Sequence, residues 1–474
     1  MQAQKAYLVE TIPVGMDDLR VTKGLRYTET ELKRLTDRTK NTIDLTVMYW
    51  NLLPRSDSQD ESGFTAQQFE AFGAGHGRSL YNALRRAARR GVTIRILQSR
   101  GFDDPGAPDP PDQESDRIAR EFPEQVQIRQ INMDDWYGAG IMHQKIWVFD
   151  QKSIYIGSAN MDWKSISQVK ELGVVTENTP KIAEDVDKYF EVWWQLGGLS
   201  GPRVAEAYDP QSQVSRTVPA WSTLVPFAQR IKSPLAKRSL QTPYNLKQPL
   251  ATTINGKKGG VFITGCPKEV CLEHRTYDGD GIAYTILDAQ KTIGISVMDF
   301  VPVSLYRGAF NKDSQKYEIN GKTATPVWWP LLFDALLQAV TTKGIHARLL
   351  ISKWAHTSAF VNPYLMALDQ AAQAGRINSN MTAGRLEIRR FVIPGWDSTA
   401  GQGRNFPGHS RVNHTKYIVT DRRINIGTSN MTWDYFTNTA GSSFNSDHPD
   451  LLQKLQEIFD RDWDSQYAYP LDKA

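Results

Sequence analysis

Cysteine is nearly absent from this chain. Only Cys266 and Cys271 occur among 474 residues, in the run GCPKEVC, and no cluster of histidines lies beside them. This pattern argues against a zinc centre with the usual four Cys or His ligands. The two thiols can close a small disulfide loop or stay free, and the sequence leaves both outcomes open.

Long apolar runs are missing as well. No segment approaches the ~20 consecutive apolar residues that a membrane-spanning helix needs. The amino-terminal run MQAQKAYLVETIPVG lacks the basic and apolar regions of a signal peptide. The sequence therefore predicts a soluble chain, and by itself it leaves the compartment open.

Excess charge of one sign is also lacking, because 56 Lys and Arg against 52 acids leave a net charge of only +4. That is too little to coat nucleic acid by charge alone. Residues 201–260 are different, with nine Lys or Arg against two acids, a surplus of +7. Their Pro, Ser, Thr and Gln content favours a solvated linker, although the charge would also suit contact with a phosphate backbone.

An internal duplication organises the remaining sequence. The strand-like run TIDLTVMYWNLLP at 42–54 recurs as TIGISVMDFVP at 292–302, and a helical pattern and another strand follow each copy. Strands that alternate with helices predict an α/β fold with a buried sheet in each half. We expect two homologous α-β-α sandwich halves, 1–205 and 281–474, related by pseudo-two-fold symmetry, with 206–280 as a basic linker or insertion.

Each half carries one H-x-K-x4-D motif. The copies comprise His143, Lys145 and Asp150 in the first half and His414, Lys416 and Asp421 in the second. With eight histidines in the chain, about 0.02 copies would arise by chance. Residues two apart on a strand share a face, so each His and Lys project together. We predict a single active site where the two halves meet.

Both motifs are followed by G-[ST]-x-N on a returning strand, which offers further phosphate-binding groups. These are Ser158, Asn160, Thr428 and Asn430. A phosphoryl group in transfer gains negative charge, which two lysines and two amides can hold without a metal or other cofactor. One imidazole can attack phosphorus while the other protonates the leaving oxygen and later activates water. The pattern predicts a metal-independent phosphodiesterase that forms a phosphohistidine.

The motif aspartates have a different expected role. A carboxylate placed against the phosphate would repel it. We therefore expect Asp150 and Asp421 to brace the two motifs rather than transfer protons.

The paired motifs resemble those of the phospholipase D superfamily. The phrases GSANMDWKSISQVKELGVV, VNHTKYIVTDRRINIGTSN and IFDRDWDSQY are similar in particular to the animal lysosomal phospholipase-D-like 5′ exonucleases. The resemblance implies a 5′ to 3′ exonuclease on single-stranded DNA or RNA that releases nucleoside 3′-phosphates. It also implies the endolysosomal lumen as the compartment.

The resemblance further implies roles for the two histidines. It places an orienting carboxylate 28 residues after His143, at Glu171, whereas the corresponding stretch NTAGSS of the second half has no acid. An oriented base and an unoriented one suggest different tasks. We therefore expect His143, oriented by Glu171, to be the nucleophile and His414 to be the general acid and base.

Aromatic side chains in loops near the motifs are candidates for substrate binding. They are Trp328, Trp329, Trp354 and His356. Bases of single-stranded nucleic acid stack on such rings for about 1–3 kcal/mol per base. Core packing explains the tryptophan pair at 328–329 equally well, because tryptophan is usually mostly buried.

Two other functions stay open. A phospholipase D or phosphatidyl transferase would use the same histidine chemistry on a phospholipid, but the sequence shows no amphipathic helix with a basic face to dock on a membrane. A non-catalytic membrane-associated or envelope-associated protein would tolerate degraded motifs, whereas both motifs here are complete. One chain supplies both motifs, so the site needs no second copy, although a homodimer is compatible with the sequence.

Overall fold

A computed structural model describes residues 3–20, 24, 26–100, 113–199, 204–222, 235, 237–311, 313–319, 322–375, 384–399 and 403–471. The basic segment 201–260 lies partly outside these residues. Within them, none of the helices has both the length and the apolar character required to cross a bilayer.

The first half alternates strands and helices. Its elements are β1 (Lys5–Thr11), α1 (Asp17–Arg20), α2 (Thr28–Arg38), β2 (Thr42–Val47), β3 (Trp50–Asn51), α3 (Ala66–Ala71), α4 (Ala74–Arg89), β4 (Thr93–Ser99), α5 (Glu114–Glu121), β5 (Val126–Ile131), α6 (Asp134–Tyr137), β6 (Ile146–Phe149), β7 (Ser153–Gly157), β8 (Met161–Asp162), β9 (Glu171–Glu177) and α7 (Pro180–Leu196). In α4, buried Leu80, Leu84 and Ala87 recur at helical spacing and face the sheet.

A hairpin and the second half follow. They comprise β10 (Val204–Asp209), β11 (Val214–Pro219), β12 (Leu250–Ile254), β13 (Lys257–Ile263), α8 (Asp278–Leu287), β14 (Thr292–Val297), β15 (Val303–Ser304), β16 (Ala309–Asn311), β17 (Lys316–Ile319), β18 (Lys322–Thr323), β19 (Val327–Trp328), α9 (Leu331–Lys343), β20 (His346–Lys353), α10 (Val361–Ala374), β21 (Arg385–Val392), β22 (Lys416–Thr420), β23 (Ile424–Gly427), α11 (Trp433–Thr437), β24 (Ser443–Ser446), α12 (Pro449–Trp463) and β25 (Ala468–Pro470).

The two main sheets share one strand order. The first runs β1-β9-β7-β6-β2-β4-β5, and the second contains the matching series β13-β24-β23-β22-β14-β20-β21, with β12 and β25 added at its edges. The central strands β2 and β14 each run parallel to the strand on one side and antiparallel to the motif strand on the other. The predicted pair of homologous α/β halves is confirmed.

The expected boundary at 206–280 differs from what the structure shows. Strand β13 pairs with β24 in antiparallel register, with Phe262 opposite Asn445. Residues 250–263 therefore belong to the second sheet instead of forming a linker. The sequence did not predict these strands because they are polar and rich in glycine. Such a composition is compatible with an edge that has only one buried face.

One apolar core joins the halves. Helix α7 contributes Tyr189 and Trp193, and helix α12 contributes Leu455 and Phe459 to the same buried cluster. This core fixes the two sheets relative to each other. Both cysteines are buried and free, and the Cys266 thiol lies 3.2 Å from the carbonyl of Tyr435.

Candidate active site

Hydrogen bonds between the halves bring the two motifs together. The backbone N–H of His143 donates to the carbonyl of Ala440 over 3.1 Å, and that of His414 donates to the carbonyl of Lys170 over 2.8 Å. Each histidine segment thus pairs with the other half of the chain. The two imidazole centroids lie 6.3 Å apart, with the rings inclined at 75°. A phosphate can sit between rings at this separation.

The two motif lysines are buried beside the histidines. Nζ of Lys145 donates to the carbonyl of His143 over 2.7 Å, and Nζ of Lys416 donates to that of His414 over 2.8 Å. Burial lowers the pKa of Lys145 well below its usual range. Burial also lowers the pKa of Lys416 to about 7, although Glu171 opposes the shift. A bound phosphate would stabilise the cationic form of both lysines.

Glu171 contacts the second histidine and not the first. Both of its carboxylate oxygens lie 3.0 Å from Nδ1 of His414, and Ser165 donates its hydroxyl to the same carboxylate. The prediction that Glu171 orients His143 is therefore wrong. The physical reason is the exchange of segments between halves, because Lys170 bridges to Asn413 and carries Glu171 across the interface.

The Glu171 contact determines the state of His414. Burial raises the pKa of Glu171, but His414 and Lys416 lower it more, so that the carboxyl group titrates below its usual range. Burial lowers the pKa of His414 to about 4, with Glu171 opposing the shift. Above that pH the ring is neutral, and a carboxylate at Nδ1 places the proton there. Nε2 then carries the lone pair.

Among the residues that the structure describes, no carboxylate bonds Nδ1 of His143. Gly441 follows the bridging residue Ala440 as Glu171 follows Lys170. A Cβ on Gly441 would overlap the Ser429 hydroxyl and come within 2.6 Å of Cys266 Sγ, so these neighbours would have to shift to admit a side chain. Burial lowers the pKa of His143 well below its usual value, and the nearby lysines lower it further. The backbone of Thr428 opposes this shift.

The motif aspartates accept backbone hydrogen bonds. Asp150 accepts from the N–H groups of residues 40–42, the shortest being 2.6 Å from Asn41. Asp421 accepts in the same way from residues 290–292, at 2.9 Å from Lys291. Burial raises the pKa of Asp421, but these amides lower it below its usual value. Both carboxylates thereby tie the end of a motif strand to the start of the central strand beside it.

The four G-[ST]-x-N side chains do not share one role. Ser158 accepts from the N–H of Leu172 over 3.0 Å, and Thr428 accepts from that of Ser442 over 3.0 Å. Neither hydroxyl lines the cavity, which corrects the expected phosphate-binding role of Ser158 and Thr428. Asn160 lines the cavity. Asn430 is buried with its amide 3.4 Å from Asp299.

The histidines open onto a cavity of about 310 Å³. Residues of the first half form most of its wall, including Met48, Tyr49, Trp50, Asn51, Asp60, Glu61, Asp162 and Lys164. Nζ of Lys164 lies 3.4, 3.5 and 3.8 Å from the carboxylates of Asp60, Glu61 and Asp162. One part of this wall is therefore a charged cluster, while Met48, Trp50, Val169, Met298 and Val412 give apolar surface to the rest.

Of the four aromatic candidates, only Trp354 lines the cavity. Its ring centroid lies 4.6 Å from that of His356, which stacks on His409 at 4.5 Å and 8°. His409 also lines the cavity and contacts Asp60 at 2.7 Å. His356 therefore supports the cavity wall from behind, through His409.

The tryptophan pair at 328–329 lies elsewhere. Trp329 is 2% exposed, packs 5.2 Å from the ring of Phe436 and donates its indole N–H to Gln211. The substrate-binding prediction is wrong for Trp329, because its ring completes the apolar core. Trp328 is 54% exposed, contacts the ring of Tyr364 at 6.0 Å and does not line the cavity.

Sequence reasoning missed Tyr435, whose ring lies 4.9 Å from that of His143 and lines the cavity. A signal for it exists in the repeat. Tyr435 follows the motif residue Asn430 by five positions, as Ser165 follows Asn160. Ser165 donates a hydrogen bond to Glu171, and Tyr435 lies against His143. The side chain at this position therefore contacts a group of the active site in both halves.

Two family models match the chain. One, described as a cardiolipin synthase, PLD-like domain, matches residues 35–194, and the other, described as a PLD3/4, PLD-like domain, matches residues 214–396. The first match covers most of the first half with its motif, and the second runs from β11 through β21 of the second half and ends before His414.

Several relatives align over nearly the whole chain. Phospholipase D Z of Dictyostelium discoideum is 31% identical over 98% of this chain and 90% of its own length. The 5′-3′ exonuclease PLD3 of Homo sapiens is 30% identical over 99% and 81%. The virion nicking-joining enzyme of vaccinia virus (strain Western Reserve) is 30% identical over 98% and 89%.

A solved structure shares the fold. Phosphatidylserine synthase of Haemophilus influenzae Rd KW20 superposes with a TM-score of 0.52 over 94% of this chain and 86% of that chain, at 13% identity. At this level of identity the likeness concerns the architecture of two α/β halves.

Proposed function

Because the chain belongs to the phospholipase D superfamily, we propose that it is a metal-independent phosphodiesterase acting through a covalent phosphohistidine. The observation that carries this proposal is the histidine pair itself. The rings lie 6.3 Å apart, and only His414 has a carboxylate at Nδ1. Two buried lysines beside the pair can stabilise the charge that develops on the phosphoryl oxygens.

The contact of Glu171 with His414 reverses the roles expected from the sequence. We assign His414 as the nucleophile, since its neutral ring offers the Nε2 lone pair to phosphorus. The ring becomes cationic when the N–P bond forms, and Glu171 at 3.0 Å stabilises that charge. His143 is then the general acid.

The proton balance follows from these roles. As the His414 N–P bond forms and the P–O bond to the leaving strand breaks, His143 gives its proton to the leaving oxygen. His143 next accepts a proton from water while the water oxygen attacks phosphorus and the N–P bond breaks. A phosphomonoester and the starting state of both rings result.

The favoured substrate is the 5′ end of single-stranded DNA or RNA, with nucleoside 3′-phosphates as products. A cavity of about 310 Å³ is at the small end of ligand sites, which span roughly 300–1,000 Å³, and suits a single nucleoside. Trp354 offers a ring for its base. A relative named as a 5′-3′ exonuclease aligns along 99% of the chain.

Phospholipid is the competing substrate, since another relative is named a phospholipase D. The carboxylates of Asp60, Glu61 and Asp162 in one part of the cavity wall are unfavourable neighbours for acyl chains. An acidic compartment such as the endolysosomal lumen fits the nuclease better. The pKa of His143 is lowered by burial, so low pH favours the protonated acid that the first step needs.

The test is to incubate the protein with a 5′-hydroxyl single-stranded oligonucleotide in EDTA, and separately with phosphatidylcholine and a primary alcohol. We expect stepwise release of nucleoside 3′-phosphates in the first assay and no phosphatidyl alcohol in the second. Complete loss of nuclease activity in EDTA would contradict the metal-free mechanism. Phosphatidyl alcohol without nuclease activity would assign the phospholipid function, and an inert protein in both assays would favour a non-catalytic role.

A further inference from the structure

A row of tyrosines leads from His143 to the protein surface. The Tyr435 ring lies 4.9 Å from the His143 imidazole. Tyr306 lies two residues after Ser304, whose hydroxyl donates to Asp434, the residue before Tyr435. Tyr306 in turn meets Tyr317 edge to face, with centroids 5.2 Å apart.

Tyr306 is exposed although its backbone is fixed. Its side chain is 47% exposed. Its N–H donates to Ser304 over 3.1 Å, and Ser304 donates to Asp434 over 2.6 Å at the start of α11. Its carbonyl accepts from Asn438 just after that helix. The same short helix carries Tyr435, so the exposed ring is held in place relative to the catalytic pair.

The outer end of the row lies in a basic segment. Residues 305–325 contain four Lys or Arg and two acids, a surplus of +2 in a chain whose total is only +4. Lys322 is exposed and pairs with Ile319, so it lies on the same face of the hairpin as Tyr317. Aromatic rings interleaved with basic side chains are the combination that single-stranded nucleic acid binds, with bases on the rings and phosphates on the cations.

Because hydrogen bonds tie the Tyr306 segment to both ends of α11, which carries Tyr435, we propose that Tyr435, Tyr306 and Tyr317 form a stacking track for the leaving strand, on the 3′ side of the scissile phosphodiester. This inference rests on the proposed nuclease function and adds the path of the uncleaved substrate. The track begins at His143, the residue that protonates the leaving oxygen. The cavity holds the terminal nucleoside, while the strand beyond the scissile bond follows the tyrosines outward. Since every base can stack, the track accepts any sequence.

The experiment compares Tyr306→Ala, Tyr306→Phe and Tyr469→Ala on a long single-stranded oligonucleotide and on bis(4-nitrophenyl) phosphate, which has no strand. Tyr469 is the matched control, because it is 43% exposed on β25 at the far edge of the second sheet. We expect Tyr306→Ala to raise KM for the oligonucleotide about tenfold and leave kcat nearly unchanged. Tyr306→Phe and Tyr469→Ala should match the wild type.

Hydrolysis of bis(4-nitrophenyl) phosphate, the chromogenic diester, requires the folded protein and the two histidines but no bound strand. All three variants should retain it. An unchanged KM of Tyr306→Ala on an oligonucleotide that the wild type degrades would overturn the track and leave the nuclease function intact. A wild type that hydrolyses the chromogenic diester but no oligonucleotide would overturn both. An equal rise in KM for Tyr469→Ala would show a general surface effect and would also overturn the track.

Discussion

Glu171 of the first half holds Nδ1 of His414 in the second half at 3.0 Å, whereas Gly441 stands at the corresponding place near His143. The two imidazoles are therefore chemically unequal within a scaffold that is nearly symmetric. The predictions below use that inequality.

Glu171→Gln should lower kcat at least 100-fold, because the uncharged amide cannot stabilise the cationic ring of His414 in the covalent intermediate. The matched control is Glu177→Gln at the other end of β9, where Arg34 and Tyr7 bind the carboxylate. Steady-state kinetics on bis(4-nitrophenyl) phosphate measure both. Equal losses in the two variants would contradict a specific role for Glu171.

The covalent adduct should form on His414. With a 4-nitrophenyl phosphodiester, whose leaving group needs little protonation, His143→Ala should still form the adduct and then stall, because the base for hydrolysis is missing. Mass spectrometry of peptides that were digested without exposure to acid should find the phosphoryl mass on the peptide that contains His414. An adduct on His143 in the His414→Ala variant, together with no adduct on His414 in the His143→Ala variant, would restore the opposite assignment.

Activity should fall at both ends of the pH range. The nucleophile must be neutral, so the loss of kcat/KM on acidification should follow the pKa of His414 near 4. The general acid must be protonated, so activity should fall as the pH rises above the lowered pKa of His143. Loss of the Lys416 charge, with a pKa of about 7, should reduce it further. Glu171 raises the pKa of His414, so the residual activity of Glu171→Gln should show its acidic limb at lower pH. A shift to higher pH would contradict this prediction.

A buried ion cluster next to the site should dominate the effect of one lysine on stability. Lys170 lies 3.2 Å from Glu10 and 2.8 Å from Asp462, and all three side chains are almost fully buried. Lys170→Met should lower the free energy of unfolding by about 3–5 kcal/mol, since the two buried carboxylates are then left with Arg461 as their shared cation. Lys188→Met, which removes a partly exposed pair with Glu184, should cost at most about 0.5 kcal/mol. Urea denaturation measures both.

Much of the architecture could be predicted from the sequence because it depends on local periodicity. The repeat of strand, helix and strand predicted the two homologous α/β halves, and the two-residue spacing predicted that His143 and Lys145 project together. The partner of Glu171 could not be found this way. It depends on which half donates the adjoining segment, and the spacing of 28 residues is the same for either outcome.

Tertiary packing also determined which individual side chains are buried and which are exposed. Trp329 and Trp328 are neighbours in the sequence, yet Phe436 buries one and leaves the other in solvent. Tyr435 was missed because no repeat of its aromatic ring occurs in the first half. Its importance appears only once α11 brings it against His143.

The glycine at position 441 allows the two halves of the scaffold to take different catalytic roles. Two identical copies of the first half, assembled around a true two-fold axis, would present a Glu171 carboxylate to each histidine. Neither ring could then be distinguished from the other before substrate bound. Covalent linkage of two copies allows one carboxylate to be lost without losing the second, so acid and nucleophile become fixed properties of particular residues. The direction in which a strand enters is then set by the protein rather than chosen at each encounter.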